Sequence, residues 1–142
     1  EGMGKKESFI IGFLYGMGYW LVGISWVYVS IHYHGNINEL SSSLITLLFI
    51  SCLSVYMGLF GILYSYLSFE SAKSTIIVLP ICWCLIEILR GMLFTGFPWL
   101  LAGTTISDTV LGGWISVIGS QGNSLVLMIF DNILYSSFYL HQ

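Results

Sequence analysis

Residues Ile86–Leu101 read IEILRGMLFTGFPWLL, and the fold turns on how that stretch is read. Glu87 and Arg90 stand one helical turn apart in an otherwise uncharged apolar run, which then stops at Gly96-Phe97-Pro98-Trp99. In water a Glu/Arg pair at i, i+3 is a surface bridge worth about a few tenths of a kcal/mol. The flanks here are Ile, Leu, Cys, Trp, Met and Phe, so the surrounding medium reads as hydrocarbon. There a charged side chain costs about 2.5–3.5 kcal/mol even on insertion scales, and persists where it pairs or faces a protein interior or wet cavity. The pair predicts a membrane helix that has neighbours and one face turned away from lipid.

Composition points the same way. Only 8% of the 142 residues are charged, against about 25% in soluble domains, too few to cover a wetted surface. Four windows carry no charge: Ser8–Asn38, Leu40–Phe69, Ser74–Ile86 and Thr109–Phe130. Long continuous apolar runs predict membrane helices, whereas a barrel shows short alternating segments. The fold class expected is an all-α integral membrane protein forming a single domain. Its four transmembrane helices are expected at roughly 8–31, 43–67, 75–95 and 121–140, with a short outer-surface segment near 109–118. No basic patch exists, so nucleic acid is not an expected partner. Cys52, Cys82 and Cys84 all lie in apolar runs and read as small buried hydrophobes; the Cys82-x-Cys84 spacing fits neither a zinc nor a thioredoxin-type motif.

Taken in order, Glu1–Glu7 is a polar juxtamembrane segment with Lys5 and Lys6. The first span follows, and Gly12, Gly16 and Gly23 share one helix face, a spacing that lets another helix approach closely. Phe9 to Trp26 is about 26 Å of helix, which puts Trp26 at the opposite interface. His32–Ser43 is a polar connection. His32, His34 and Glu39 have loose spacing without a fourth ligand, so no metal is expected; the serines Ser41–Ser43 read as the cap of the second span. The third span either kinks at Pro80 or starts there. It ends at Gly96, where glycine accepts the left-handed closing conformation ahead of Pro98. Arg90 lies about 23 Å along that helix and either faces neighbours or snorkels outward. Ser107-Asp108-Thr109 offers a cap, and Gly119–Gly122 divides the last apolar run. Asp131 inside the final span has no evident role. Lysines mark one side only, Lys5, Lys6 and Lys73, so the positive-inside rule puts those ends in the cytoplasm and the Gly96–Trp99 turn outside.

Three motifs together resemble a known family. Glu87-Ile-Leu-Arg90-Gly91 with Thr95-Gly96-Phe97-Pro98-Trp99-Leu100 resembles the signature of the membrane part of apolipoprotein N-acyltransferases. Trp26-Val-Tyr28-Val-Ser30-Ile31 is similar to that family's third membrane helix and its outer end. Gly112-Gly-Trp-Ile-Ser-Val-Ile-Gly119 is similar to the segment after its GFPW loop.

The resemblance implies a bacterial inner-membrane, multi-pass enzyme of lipoprotein maturation. Such a transferase moves an acyl chain from a phospholipid to the N-terminal amine of diacylglyceryl-cysteine in an apolipoprotein. The partners implied are that phospholipid and that lipoprotein. In the family eight membrane helices carry an outer nitrilase-like domain with a Glu–Lys–Cys triad that works through an acyl-enzyme. The present chain corresponds to roughly the third to sixth helices, and no stretch of it resembles the nitrilase-like domain. Lys73 and Glu87 lie about 21 Å apart on one helix, so they cannot replace the triad. No catalytic residue is carried over, no cofactor is expected, and a fragment inactive alone is. Glu87, Arg90, Phe97, Pro98, Trp99 and Trp26 are the candidates for lining the lipid or substrate path, or for structural support around it. The alternative reading is a non-catalytic, truncated membrane module that packs with partners or binds lipid. A small transporter ranks lower, since no internal repeat is visible.

Overall fold

The computed structural model describes residues 4–67, 72–93 and 96–139, and of residues 72–75, 110–111, 136 and 138–139 the backbone alone. Among the described residues every regular element is helical. The chain forms two compact units, Glu1–Ser65 and Tyr66–Gln142. The Lys73 side chain, Thr95, most of the turn expected at 68–74 and the last residues of the expected fourth span lie outside the described residues.

In the first unit α1 spans Lys5–Gly23. Its start is held by Glu7, whose carboxylate accepts from the Gly4 N–H at 3.1 Å. The single helix expected over 8–31 is in fact broken. Ile24, at φ −125° and ψ 19°, ends α1 while its N–H still bonds to the Trp20 carbonyl. Helix then resumes as α2, Trp26–Val29, and widens into a π-helical turn over Ser30–His34. Gly23-Ile24-Ser25 places a permissive residue, a β-branched residue and a backbone-competing serine in succession, and the Ser25 hydroxyl bonds back to the Val22 carbonyl. The polar connection is shorter than expected, because α3 already begins at Glu39 and runs to Leu67. Its cap is Asn38, not the serines: Asn38 Oδ1 accepts from the Ser41 N–H at 2.8 Å. Ser42 and Ser43 lie inside the helix, where the Ser43 hydroxyl bonds to the Glu39 carbonyl.

Glycines bring α1 and α3 together. A Cβ on Gly12 would land on the Met57 carbonyl oxygen, and one on Gly16 would stand 3.0 Å from the Ser54 Cα. Trp20, Ile24, Ile50, Leu53 and Met57 form the core of this unit. The buried hydroxyls of Thr46 and Ser54 each donate to a carbonyl four residues back, Ser42 and Ile50.

In the second unit α4 spans Ala72–Met92 and passes through the buried Pro80 rather than starting there. After Gly96 come two 3₁₀ turns, Ala102–Ile106 and Val110–Trp114, and then α5, Ile115–Tyr139. The first turns of α5 are set off by Gly119, at φ 72° and ψ 174°, a backbone region open essentially to glycine alone. The expected division of the last apolar run thus falls at Gly119. Thr109 precedes the second 3₁₀ turn without a side-chain cap; its hydroxyl bonds back to the Ile106 carbonyl.

Both units turn large apolar side chains outward and bury hydroxyls beside their apolar cores. Val22 is 80% exposed and Leu48 68%, while Ser42, Ser54 and Ser124 are wholly buried. A water-soluble bundle has the opposite arrangement. Glu39–Leu67 and Gly112–Tyr135 are long and apolar enough to cross a membrane, and Lys5–Gly23 with Trp26–His34 makes a third if that pair, bent by 53°, is one span. Two to three candidate spans are therefore present among the described residues. Cys52 departs from its expected burial and is exposed, whereas Cys82 is buried and Cys84 intermediate.

Candidate functional site, a buried polar knot

Glu87 and Arg90, each 3% exposed, are the buried charges of α4. One turn before Glu87 on the same face, Trp83 donates its indole N–H to Glu87 Oε1 at 2.9 Å. The same oxygen accepts the backbone N–H of Ala102 at 2.8 Å. The carboxylate is thus held by an indole and by the first N–H of a 3₁₀ turn. Glu87 Oε2 is buried with no hydrogen-bond partner among the described residues. Arg90 is turned into the protein, not outward as the snorkelling alternative would have it, and its backbone carbonyl accepts the Phe97 N–H at 3.0 Å.

Around this core the second donor of the same turn is also engaged. The Gly103 N–H donates to Ser124 Oγ at 2.7 Å, and that hydroxyl lies 3.2 Å from the Ser120 carbonyl. Asn123, 1% exposed, reaches the Gly103 carbonyl through its Nδ2 at 3.5 Å. One turn before Glu87, the Cys84 thiol points at the Gln121 carbonyl of α5, 3.6 Å away. α4, the Ala102–Ile106 turn and α5 are therefore tied by polar contacts set among the buried side chains of Cys82, Ile86 and Leu101.

The linking segment has a special backbone at both ends. Gly96 closes α4 at φ 81°, its N–H on the Leu93 carbonyl. Leu100 sits at φ 52°, uncommon for a bulky L-residue. Between them Phe97 and Trp99 hold their rings 6.5 Å apart, with Pro98 and Trp99 exposed. Of the six candidates, Glu87, Arg90, Phe97, Pro98 and Trp99 belong to this unit. Trp26 belongs to the other and is 46% exposed. His32 turns its Nδ1 to the Ile37 carbonyl at 2.7 Å and stacks on Tyr28. Gly103, Asn123 and Ser124, central to the knot, had no signal in the sequence beyond being small or polar in an apolar run.

A model of the apolipoprotein N-acyltransferase N-terminal domain matches residues 2–133. The chain belongs to the apolipoprotein N-acyltransferase family. Relatives carrying that name include the protein of Coxiella burnetii, 39% identical over 127 residues, which cover 87% of this chain and 26% of that protein. The Methylococcus capsulatus protein is 34% identical over 142 residues, 96% of this chain and 27% of its own length. The Pasteurella multocida protein is 32% identical over 132 residues, 93% and 25%. The chain spans about a quarter of the length of the curated relatives it matches. The family and the outward apolar faces together make this a membrane protein, as the charge pair in α4 had led us to expect.

Proposed function

We propose that the chain forms the membrane portion of a bacterial inner-membrane lipoprotein N-acyltransferase. The reaction it serves takes an acyl chain from a phospholipid to the free amine of diacylglyceryl-cysteine at an apolipoprotein N-terminus. The match to the family's N-terminal domain over residues 2–133 carries this reading. α4, 21 residues long with Glu87 and Arg90 buried, is in this reading a fourth span in addition to α1–α2, α3 and α5. Phe97, Pro98 and Trp99 form a lip at the outer end of α4, stiffened by Pro98 and by the fixed backbone at Gly96 and Leu100. Trp26, in the first unit, serves as an anchor at a membrane interface. None of these residues performs the acyl transfer; they shape where acyl chains lie, and chemistry needs a nucleophile from outside this chain.

Two experiments test this. In cells depleted of their own acyltransferase, the chain alone should leave lipoprotein amines free by mass spectrometry. Substituted for the matching quarter of the Coxiella burnetii relative, it should restore triacylated product. A chimera present at normal abundance that yields only free amines defeats the assignment. Orientation is tested separately, with the native cysteines removed. A membrane-impermeant maleimide should label Ser107→Cys from the outer side and Lys73→Cys only after the membrane is opened. The reverse pattern inverts the topology drawn from the lysines.

A further inference from the structure

We infer that Glu87 and Ser124 are a pair of helix caps supplied from other elements to the Ala102–Ile106 turn, and that this double cap fixes the course of the Gly96–Leu101 segment. Helix starts leave their first N–H groups without partners, normally met by a side chain just upstream in sequence. Here the residue at that position is Leu101, which has no side-chain acceptor, and the turn has no cap of its own. The first two N–H groups, of Ala102 and Gly103, go instead to Glu87 Oε1 on α4 and Ser124 Oγ on α5. All four residues that make these bonds, Glu87, Ala102, Gly103 and Ser124, are buried, so water cannot substitute.

Leu100 makes the arrangement consequential. A bulky residue held at φ 52° is a conformation that persists only when its surroundings over-determine it. Leu100 lies between Trp99 and Leu101, immediately before the capped donors. Anchoring the turn at its first two N–H groups leaves the chain no freedom downstream of Leu100, and the Gly96 closure with the Phe97 N–H on the Arg90 carbonyl leaves none upstream. The segment is a strap pinned at both ends.

What the cap requires of residue 87 is an acceptor oxygen, not a charge. Both donors converge on Oε1, while Oε2 engages nothing among the described residues. Glutamine keeps the accepting oxygen and replaces Oε2 by an amide that meets the same surroundings. The cap therefore predicts that Glu87→Gln behaves as the native protein, where a role in charge pairing predicts that it fails like Glu87→Leu.

Hydrogen exchange of the full chain in lipid nanodiscs reads this directly and does not depend on acyl transfer. In the native protein the amides of Ala102 and Gly103 should be protected. Glu87→Leu should speed exchange at Ala102, and Ser124→Ala at Gly103, each about ten-fold, with α5 protection downstream of Ser124 unchanged. Glu87→Gln should leave both amides as they are. Equal protection of Ala102 in Glu87→Leu and the native chain overturns the cap at 87, and loss in Glu87→Gln as complete as in Glu87→Leu overturns the acceptor argument. Ser124→Ala removes one oxygen and no volume of consequence, so unchanged exchange at Gly103 in that variant overturns the second cap even if the Glu87 variants do not fold.

Discussion

Gly103→Ala will unfold or grossly loosen the Tyr66–Gln142 unit, although it adds a single carbon. A Cβ at that position would fall on the Ser120 carbonyl oxygen, 2.5 Å from the Ser124 nitrogen and 2.8 Å from the Asn123 Cβ. Two of these three are backbone atoms of α5, so no rotamer change relieves the clash; either the helix or the turn must move. Overpacking a tight core costs about 1–3 kcal/mol. Displacement would also break the Gly103–Ser124 bond, leaving a buried donor unmatched for about 1–3 kcal/mol more. Both losses fall on the element that joins the turn to α5. Thermal melting in detergent should show a large fall in midpoint, with poor accumulation in cells. Gly113→Ala is the control, since a Cβ there meets nothing within 4 Å. Equal stability of the two variants would mean that Gly103 is not pressed against α5.

Some of this architecture was legible in the sequence, and the reason differs by residue. Burial of Glu87 and Arg90 followed from the cost of charge in an apolar run, a constraint local to one helix. The stop at Gly96 followed from its own conformational freedom and from Pro98, again a local matter. The close approach at Gly12 and Gly16 followed from a four-residue spacing. The knot did not follow, because Gly103 meets Ser124 across 21 residues and Ala102 meets Glu87 across 15. Nothing periodic in the chain encodes a carboxylate on one helix serving an N–H of a distant turn. Glu87 was therefore legible as buried but not as a cap, and its natural partner by spacing, Arg90, is not the group that holds its carboxylate. The break at Ile24 was missed for another reason. Gly23, Ile24 and Ser25 are each tolerated within a helix, and only their succession weakens it. Asn38 was passed over as the α3 cap because the following serines carry the same capping chemistry.

Gly12→Ile should separate α1 from α3, an effect as large as that at Gly103 but in the Glu1–Ser65 unit. The two helices meet through glycine on both sides. A Cβ on Gly12 would fall on the Met57 carbonyl oxygen and lie 3.2 Å from the Gly58 Cα. One on Gly61 would fall on the Ser8 carbonyl oxygen, 3.7 Å from the Gly12 Cα. Backbone therefore faces backbone, and a branched side chain at 12 has no space until the helices part. In water, parted helices would still be driven together by apolar burial. In lipid that drive is absent, because acyl tails are as apolar as the exposed leucines, and close packing itself is what holds the pair. The buried Ser8, Trp20 and Ser54 would then face lipid, which adds a polar penalty to the lost contact. The variant should lose thermal stability in detergent by a wide margin and be cleared from membranes. Gly18→Ile, on the same helix at an exposed position where a Cβ meets nothing within 4 Å, should accumulate and melt as the native chain does. If Gly12→Ile did the same, α1 and α3 would have to be joined by something other than their glycine faces.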